Sequence, residues 1–216
     1  LMDTMYSSYR EMARTQSVVP SPFARTYLNQ QHPDAFDGVV IEPDSEQSIQ
    51  EGIIFLHGSA GNFTMPCWLF AQMVQERQVV TVCPSVGWRG DWWTIDGEAT
   101  VRATLAYLHG RGVSHIYLVG LSNGAVGASE LAYEMSGELA GLILISGASL
   151  EARDSGLPVL VLVGNRDERM PADSLKVYAD RMGTTASFVE LSADHFMLVK
   201  DAEEVRNVID TWLRKH

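Results

Sequence analysis

Apolar residues along the chain fall into two alternating patterns. Short, predominantly apolar runs recur at 39–41, 53–56, 79–83, 115–119, 142–145, 159–163 and 187–191. They are rich in valine, isoleucine and leucine and bounded by glycine, proline or polar residues, the signature of strands buried on both faces. Between them, apolar positions return at helical spacing, predicting helices near 67–76, 98–111, 122–135, 172–182 and 203–215. Continuous apolar strands separated by amphipathic helices predict a three-layer α/β/α sandwich around a mostly parallel sheet. A further helix is expected at 2–13, followed by a proline-containing stretch, so residues 1–30 read as an N-terminal extension of a single domain spanning 1–216. Between the strands ending at Ile145 and beginning at Val159 lie only 13 residues, broken by Gly147, Gly156 and Pro158. That connection is too short for an inserted cap domain.

Composition narrows the function classes. With 46% hydrophobic residues in 216, the chain can build one sizeable core. Its 27 acidic against 16 basic residues give a net charge of −11. Nucleic-acid binding, which demands a basic face, is therefore excluded, and attachment to anionic membranes is disfavoured. No apolar run approaches the roughly 20 residues that a spanning helix needs, so no membrane insertion is expected. A cytoplasmic location is the default expectation, although a chain opening with Leu1 leaves export or processing open. Cys67 and Cys83 are expected to be free buried thiols. The alternative is a disulfide joining a strand end to a helix, which implies export.

The candidate chemistry centres on Gly120-Leu121-Ser122-Asn123-Gly124. The strand 115–119 precedes it and the small-residue run Ala125-Val126-Gly127-Ala128 follows it. A G-x-S-x-G between strand and helix is a nucleophile elbow, a sharp turn that lifts the serine hydroxyl above the sheet edge. A serine hydroxyl is a weak nucleophile until a neighbouring base, itself oriented by a third group, takes its proton. Asp167 follows the strand 159–163 in Gly164-Asn165-Arg166-Asp167, and His195 follows the strand 187–191 in Ala193-Asp194-His195-Phe196. Parallel strands present their carboxyl ends at one edge, so Ser122, Asp167 and His195 are brought together there. Asp154 and Asp173 are the rival acids. His32, His57, His109, His115 and His216 are the rival bases, but only His195 follows the last strand. Asp194 reads as a loop-bonding residue.

A developing oxyanion needs preorganised donors. The strand 53–56 ends in His57-Gly58-Ser59-Ala60-Gly61-Asn62, and the expected donors are the backbone N–H groups of Ser59 and Asn123, with Ala60 as the substitute for Ser59. His57 is expected to brace this loop.

Taken together, the HGSAGN loop, the GLSNG elbow, the GNRD acid loop and the ADHF histidine loop resemble the α/β-hydrolase superfamily over roughly 39–216, in matching order. Within it the chain is similar to compact, lidless carboxylesterase-like and dienelactone-hydrolase-like members. Serine at the nucleophile position departs from haloalkane dehalogenases and epoxide hydrolases, which use aspartate, and from dienelactone hydrolases proper, which use cysteine. The resemblance implies a serine esterase that needs no cofactor and no metal, acting on a small-molecule ester. Thioester, amide or carbon–carbon bond cleavage by the same triad, or a binding module that retains the fold, are the alternatives. Trp88, Arg89, Trp92, Met170 and Phe196, with Met65, are the candidate pocket residues, although packing explains the tryptophans and Met170 equally well. Without a cap, the pocket is expected to be open unless the N-terminal segment folds over it.

Overall fold

The computed structural model describes residues 1–15, 28, 38–43 and 48–216. His32 and the proline-containing stretch after the first helix lie outside the described residues. Among the described residues, seven strands form one sheet: β1 (Gly38–Ile41), β2 (Glu51–Leu56), β3 (Val80–Pro84), β4 (His115–Leu121), β5 (Gly141–Ile145), β6 (Val159–Gly164) and β7 (Ala186–Leu191). Their order is β1-β3-β2-β4-β5-β6-β7. Strand β1 runs antiparallel to β3, with Val39 opposite Cys83, and all other pairings are parallel. Strand β4 extends two residues past its expected end because Gly120 and Leu121 pair with Leu144 and Ile145 of β5. This extension delivers Ser122 beyond the sheet edge.

Helices cover both faces, which is why the central strands β4, β5 and β6 are almost wholly apolar and buried, whereas the edge strand β7 carries Ser187 and Glu190 and is only partly buried. Ile54 and Leu56, Leu118, Leu144 and Val161 face α3 (Ile95–Gly110), α4 (Asn123–Leu131) and α5 (Ala172–Met182). Ile53 and Phe55, Val119, Ile143 and Leu160 face α2 (Met65–Met73), α6 (Met197–Lys200) and α7 (Ala202–Leu213). Helix α3 begins earlier than its apolar spacing indicates, because the Thr94 hydroxyl accepts the Gly97 N–H at 3.2 Å and caps it. Helix α4 ends at Leu131, short of the expected residue 135, and continues as turns. Residues 146–158, between β5 and β6, hold neither helix nor strand, so no cap domain is inserted there. The first helix, α1 (Met2–Thr15), packs on α2 and α6, and the Tyr9 hydroxyl donates to the Phe63 carbonyl at 3.3 Å.

The cysteine expectation is corrected. Cys67 and Cys83 are joined in a disulfide, with their Cα atoms 6.2 Å apart. Helix α2 lies across the end of β3, which brings its first turn to the strand's carboxyl end within reach of one bridge. In the chain-entropy account, closing a loop of this length contributes about 3 kcal/mol.

Candidate active site

The elbow is built on backbone strain. Ser122 has φ 55° and ψ −119°, a conformation that non-glycine residues rarely adopt. It is held there by its N–H, which donates to the Ile145 carbonyl at 2.9 Å, while its own carbonyl accepts from Ala125 at 2.8 Å. The flanking glycines are required by close approach. A Cβ on Gly120 would lie 2.3 Å from the Gly124 carbonyl oxygen, and one on Gly124 would lie 2.1 Å from that of Leu56. Helix α4 can therefore start directly against the end of β2.

The acid and histidine loops are tied to each other before they reach the serine. Arg166 donates its N–H to the Ala193 carbonyl at 2.9 Å, and Asn165 donates to that of Leu191 at 2.9 Å. Asp167 is buried, 5% exposed. Its Oδ1 accepts the N–H groups of Arg169 and Met170, both at 2.9 Å, and its Oδ2 lies 2.8 Å from His195 Nδ1. The carboxylate thus caps its own turn with one oxygen and orients the imidazole with the other. His195 Nε2 lies 3.0 Å from Ser122 Oγ. The rival groups are engaged elsewhere: Asp154 accepts the Gly156 N–H, Asp173 sits in the first turn of α5, His115 meets the Tyr117 hydroxyl, His109 faces Glu138, and His216 stacks on Trp212. Asp194 accepts the Phe196 N–H and pairs with Lys200, and both interactions hold its carboxyl below the usual range.

Asn123 opens α4, so its N–H has no intrahelical acceptor. Among the described residues, neither Asn123 nor Ser59 gives its N–H to a backbone carbonyl. The loop carrying Ser59 is braced from below. His57 is buried; its Nδ1 lies 2.7 Å from the Gly58 carbonyl, and Val86 N–H approaches its Nε2 at 3.3 Å. Trp92 donates its indole N–H to the His57 carbonyl at 2.9 Å. Asn62 spans to Cys83 and Ser85 and accepts the Thr64 N–H.

Burial lowers the His57 pKa to about 4, outweighing its backbone hydrogen bonds. Unfolded, the ring takes a proton near pH 6.5. Between those values the unfolded chain binds more protons, so acidification favours unfolding. This one group is expected to remove about 3 kcal/mol of stability as pH falls from 6.5 to 4, and nothing further below that. Urea unfolding followed against pH checks this: the slope in that window should be smaller in His57→Asn, which does not titrate.

A cavity of about 340 Å³ opens on Ser122 and His195. Its apolar wall comes from Leu1, Met5, Phe63, Met65, Leu198 and Val199. Of the expected pocket residues, Phe196 and Met65 line it; Trp88, Arg89, Trp92 and Met170 do not. Trp92 is 0% exposed and spends its indole on bracing His57. Arg89 is 76% exposed at its side chain and faces Asp91 at 3.7 Å, while its carbonyl accepts from the Asn123 amide at 2.9 Å. Trp88 is half exposed, and Met170 packs against the core below α5. The 88–93 loop thus supports Asn123 and the His57 loop instead of lining this cavity. Of the two sequence alternatives, the N-terminal segment does reach the pocket, with Leu1 and Met5 in its wall, whereas the contribution of α6 through Leu198 and Val199 was not expected. For α1 the available signal was the spacing of Leu1, Met5, Tyr9 and Met12, which places them on one face of α1.

No family model and no curated relative matches the sequence. Solved structures do. Est1E from Butyrivibrio proteoclasticus, determined with bound ferulic acid, superposes with a TM-score of 0.71 at 14% identity, covering 83% of this chain and 94% of that one. A lidless α/β serine hydrolase from Xanthomonas campestris gives 0.69 at 18% identity, over 83% and 88%. An α/β serine hydrolase homologue from Coxiella burnetii gives 0.67 at 22% identity, over 86% and 94%. The likeness is one of fold: the described residues have the α/β-hydrolase architecture, with no cap inserted between β5 and β6.

Proposed function

We propose that the protein is a serine hydrolase that cleaves carboxylic esters of small or soluble substrates through an acyl-enzyme. The observation that carries this reading is the continuous hydrogen-bonded chain from Ser122 Oγ through His195 to the buried Asp167. In the proposed mechanism His195 Nε2 takes the hydroxyl proton as Ser122 attacks the carbonyl carbon. The N–H groups of Ser59 and Asn123 receive the oxyanion. Asp167, whose Oδ1 accepts the Arg169 and Met170 N–H groups, turns its Oδ2 to His195 Nδ1 and stabilises the imidazolium. His195 then returns the proton to the leaving alkoxide, and water repeats the cycle to release the acid. Every step balances with side chains and water alone.

The apolar wall and the volume of about 340 Å³ support an acyl group of modest length. The Cys67–Cys83 bridge supports an oxidising compartment over the cytoplasmic expectation. No helix among the described residues is long and apolar enough to cross a membrane.

The test is a matched set of butyryl derivatives: p-nitrophenyl ester, thioester and anilide. The reading expects the ester to be turned over with kcat/KM about a hundredfold or more above the anilide, because amide cleavage carries a higher barrier that this site offers nothing extra to lower. Preferential cleavage of the anilide or the thioester would assign a different reaction to the same triad.

A further inference from the structure

The esterase reading leaves the alcohol half of the substrate undefined, and the surroundings of His195 bear on it. A second recess of about 410 Å³ borders the first and shares His195, Phe196 and Arg169 with it. Its walls are polar: Arg166, Arg169 and Lys200 face Glu168 and Asp194. Two of the three cations are already engaged. Lys200 pairs with Asp194, and Arg166 donates to the Ser192 carbonyl at 2.6 Å. Arg169 is different. Its guanidinium makes no ion pair or hydrogen bond among the described residues, Glu168 included, and its one contact is with the ring of Phe196, 5.3 Å from the centroid.

The residue is exposed, and its backbone is anchored beside the triad. The Arg169 N–H is anchored on Asp167 Oδ1, and the Phe196 ring it stacks on lies edge-on to His195 at 5.7 Å. Because His195 Nε2 delivers the proton to the leaving oxygen, the alcohol half must lie on the His195 side. The acyl half then takes the apolar cavity and the leaving group takes the recess that Arg169 overlooks.

We infer that Arg169 is a specificity-determining residue that binds an anionic group on the leaving alcohol, so that the preferred substrates are apolar-acyl esters of hydroxy acids. A guanidinium presents paired N–H donors that match a carboxylate in a two-pronged contact, which a lysine ammonium cannot do. This inference rests on the esterase reading.

The experiment compares 4-carboxyphenyl butyrate with its neutral counterpart, 4-carbamoylphenyl butyrate, each rate divided by that ester's spontaneous hydrolysis. The wild type is expected to favour the carboxylate by about tenfold in kcat/KM, mostly through KM, the size of a charge-assisted hydrogen bond. The preference should shrink in 0.5 M salt. In Arg169→Gln the ratio should fall to about one, in Arg169→Glu it should invert, and in Arg169→Lys it should be only partly retained. A wild-type ratio of one, or an undiminished ratio in Arg169→Gln, overturns the assignment. Ser122-dependent turnover of both esters at equal rates would overturn it alone, whereas failure to cleave either ester overturns the esterase reading with it.

Discussion

Replacing Ser122 with alanine is expected to lower kcat on p-nitrophenyl butyrate by about a million-fold while leaving the fold in place. The hydroxyl is the one atom that the proposed chemistry cannot replace, and alanine keeps the Cβ and backbone contacts of the elbow. His195→Ala should cost a similar factor, since serine and base act as one unit and their losses do not add. Asp167→Asn is the more informative partner, with about a ten-thousand-fold loss expected. Asparagine Oδ1 would go on accepting from Arg169 and Met170, so the turn survives. Its amide would then face His195 Nδ1 with a donor, forcing the proton onto Nε2, where it blocks the attack on Ser122. Steady-state kinetics with near-ultraviolet circular dichroism separates this outcome from unfolding; a loss below about tenfold would remove Asp167 from the mechanism.

Gly124→Ala carries the largest expected loss of stability. The added Cβ would lie 2.1 Å from the Leu56 oxygen and 2.8 Å from that of His57, both backbone atoms that no rotamer change can move. Helix α4 must then shift off the end of β2, taking Asn123 and Ser122 with it. A cost of about 4 kcal/mol or more is expected. The contrasting substitution is Gly110→Ala, at the exposed end of α3, where an added Cβ meets nothing within 4 Å. Removing a helical glycine there should stabilise by up to about 1 kcal/mol. Denaturant midpoints measure both; equal effects would mean that the elbow is not packed against β2 as described.

The sheet was legible because central strands buried on both faces leave nearly uninterrupted apolar runs, and the mixed run 187–191 also became a strand, the partly buried edge strand β7. The convergence of Ser122, Asp167 and His195 followed from the same fact, since parallel strands put the residues after them at one edge. What lay outside local pattern was less accessible. Trp88, Trp92 and Arg89 stood out by composition, but residue type carries no direction. Trp92 turned inward because the His57 carbonyl needed a donor. The cavity wall depends on α1 docking against α2 and α6, a contact between segments more than 50 residues apart. Likewise, the Cys67–Cys83 bridge depends on how α2 crosses β3, which spacing alone does not reveal.

The central claim is that Ser122 is the nucleophile, activated by His195. Treating the protein with a fluorophosphonate and reading intact mass followed by peptide mapping tests it most directly. The account predicts one adduct per chain, located on Ser122, formed slowly or not at all in His195→Ala. Label on another residue, or ester hydrolysis that persists in Ser122→Ala, would contradict it.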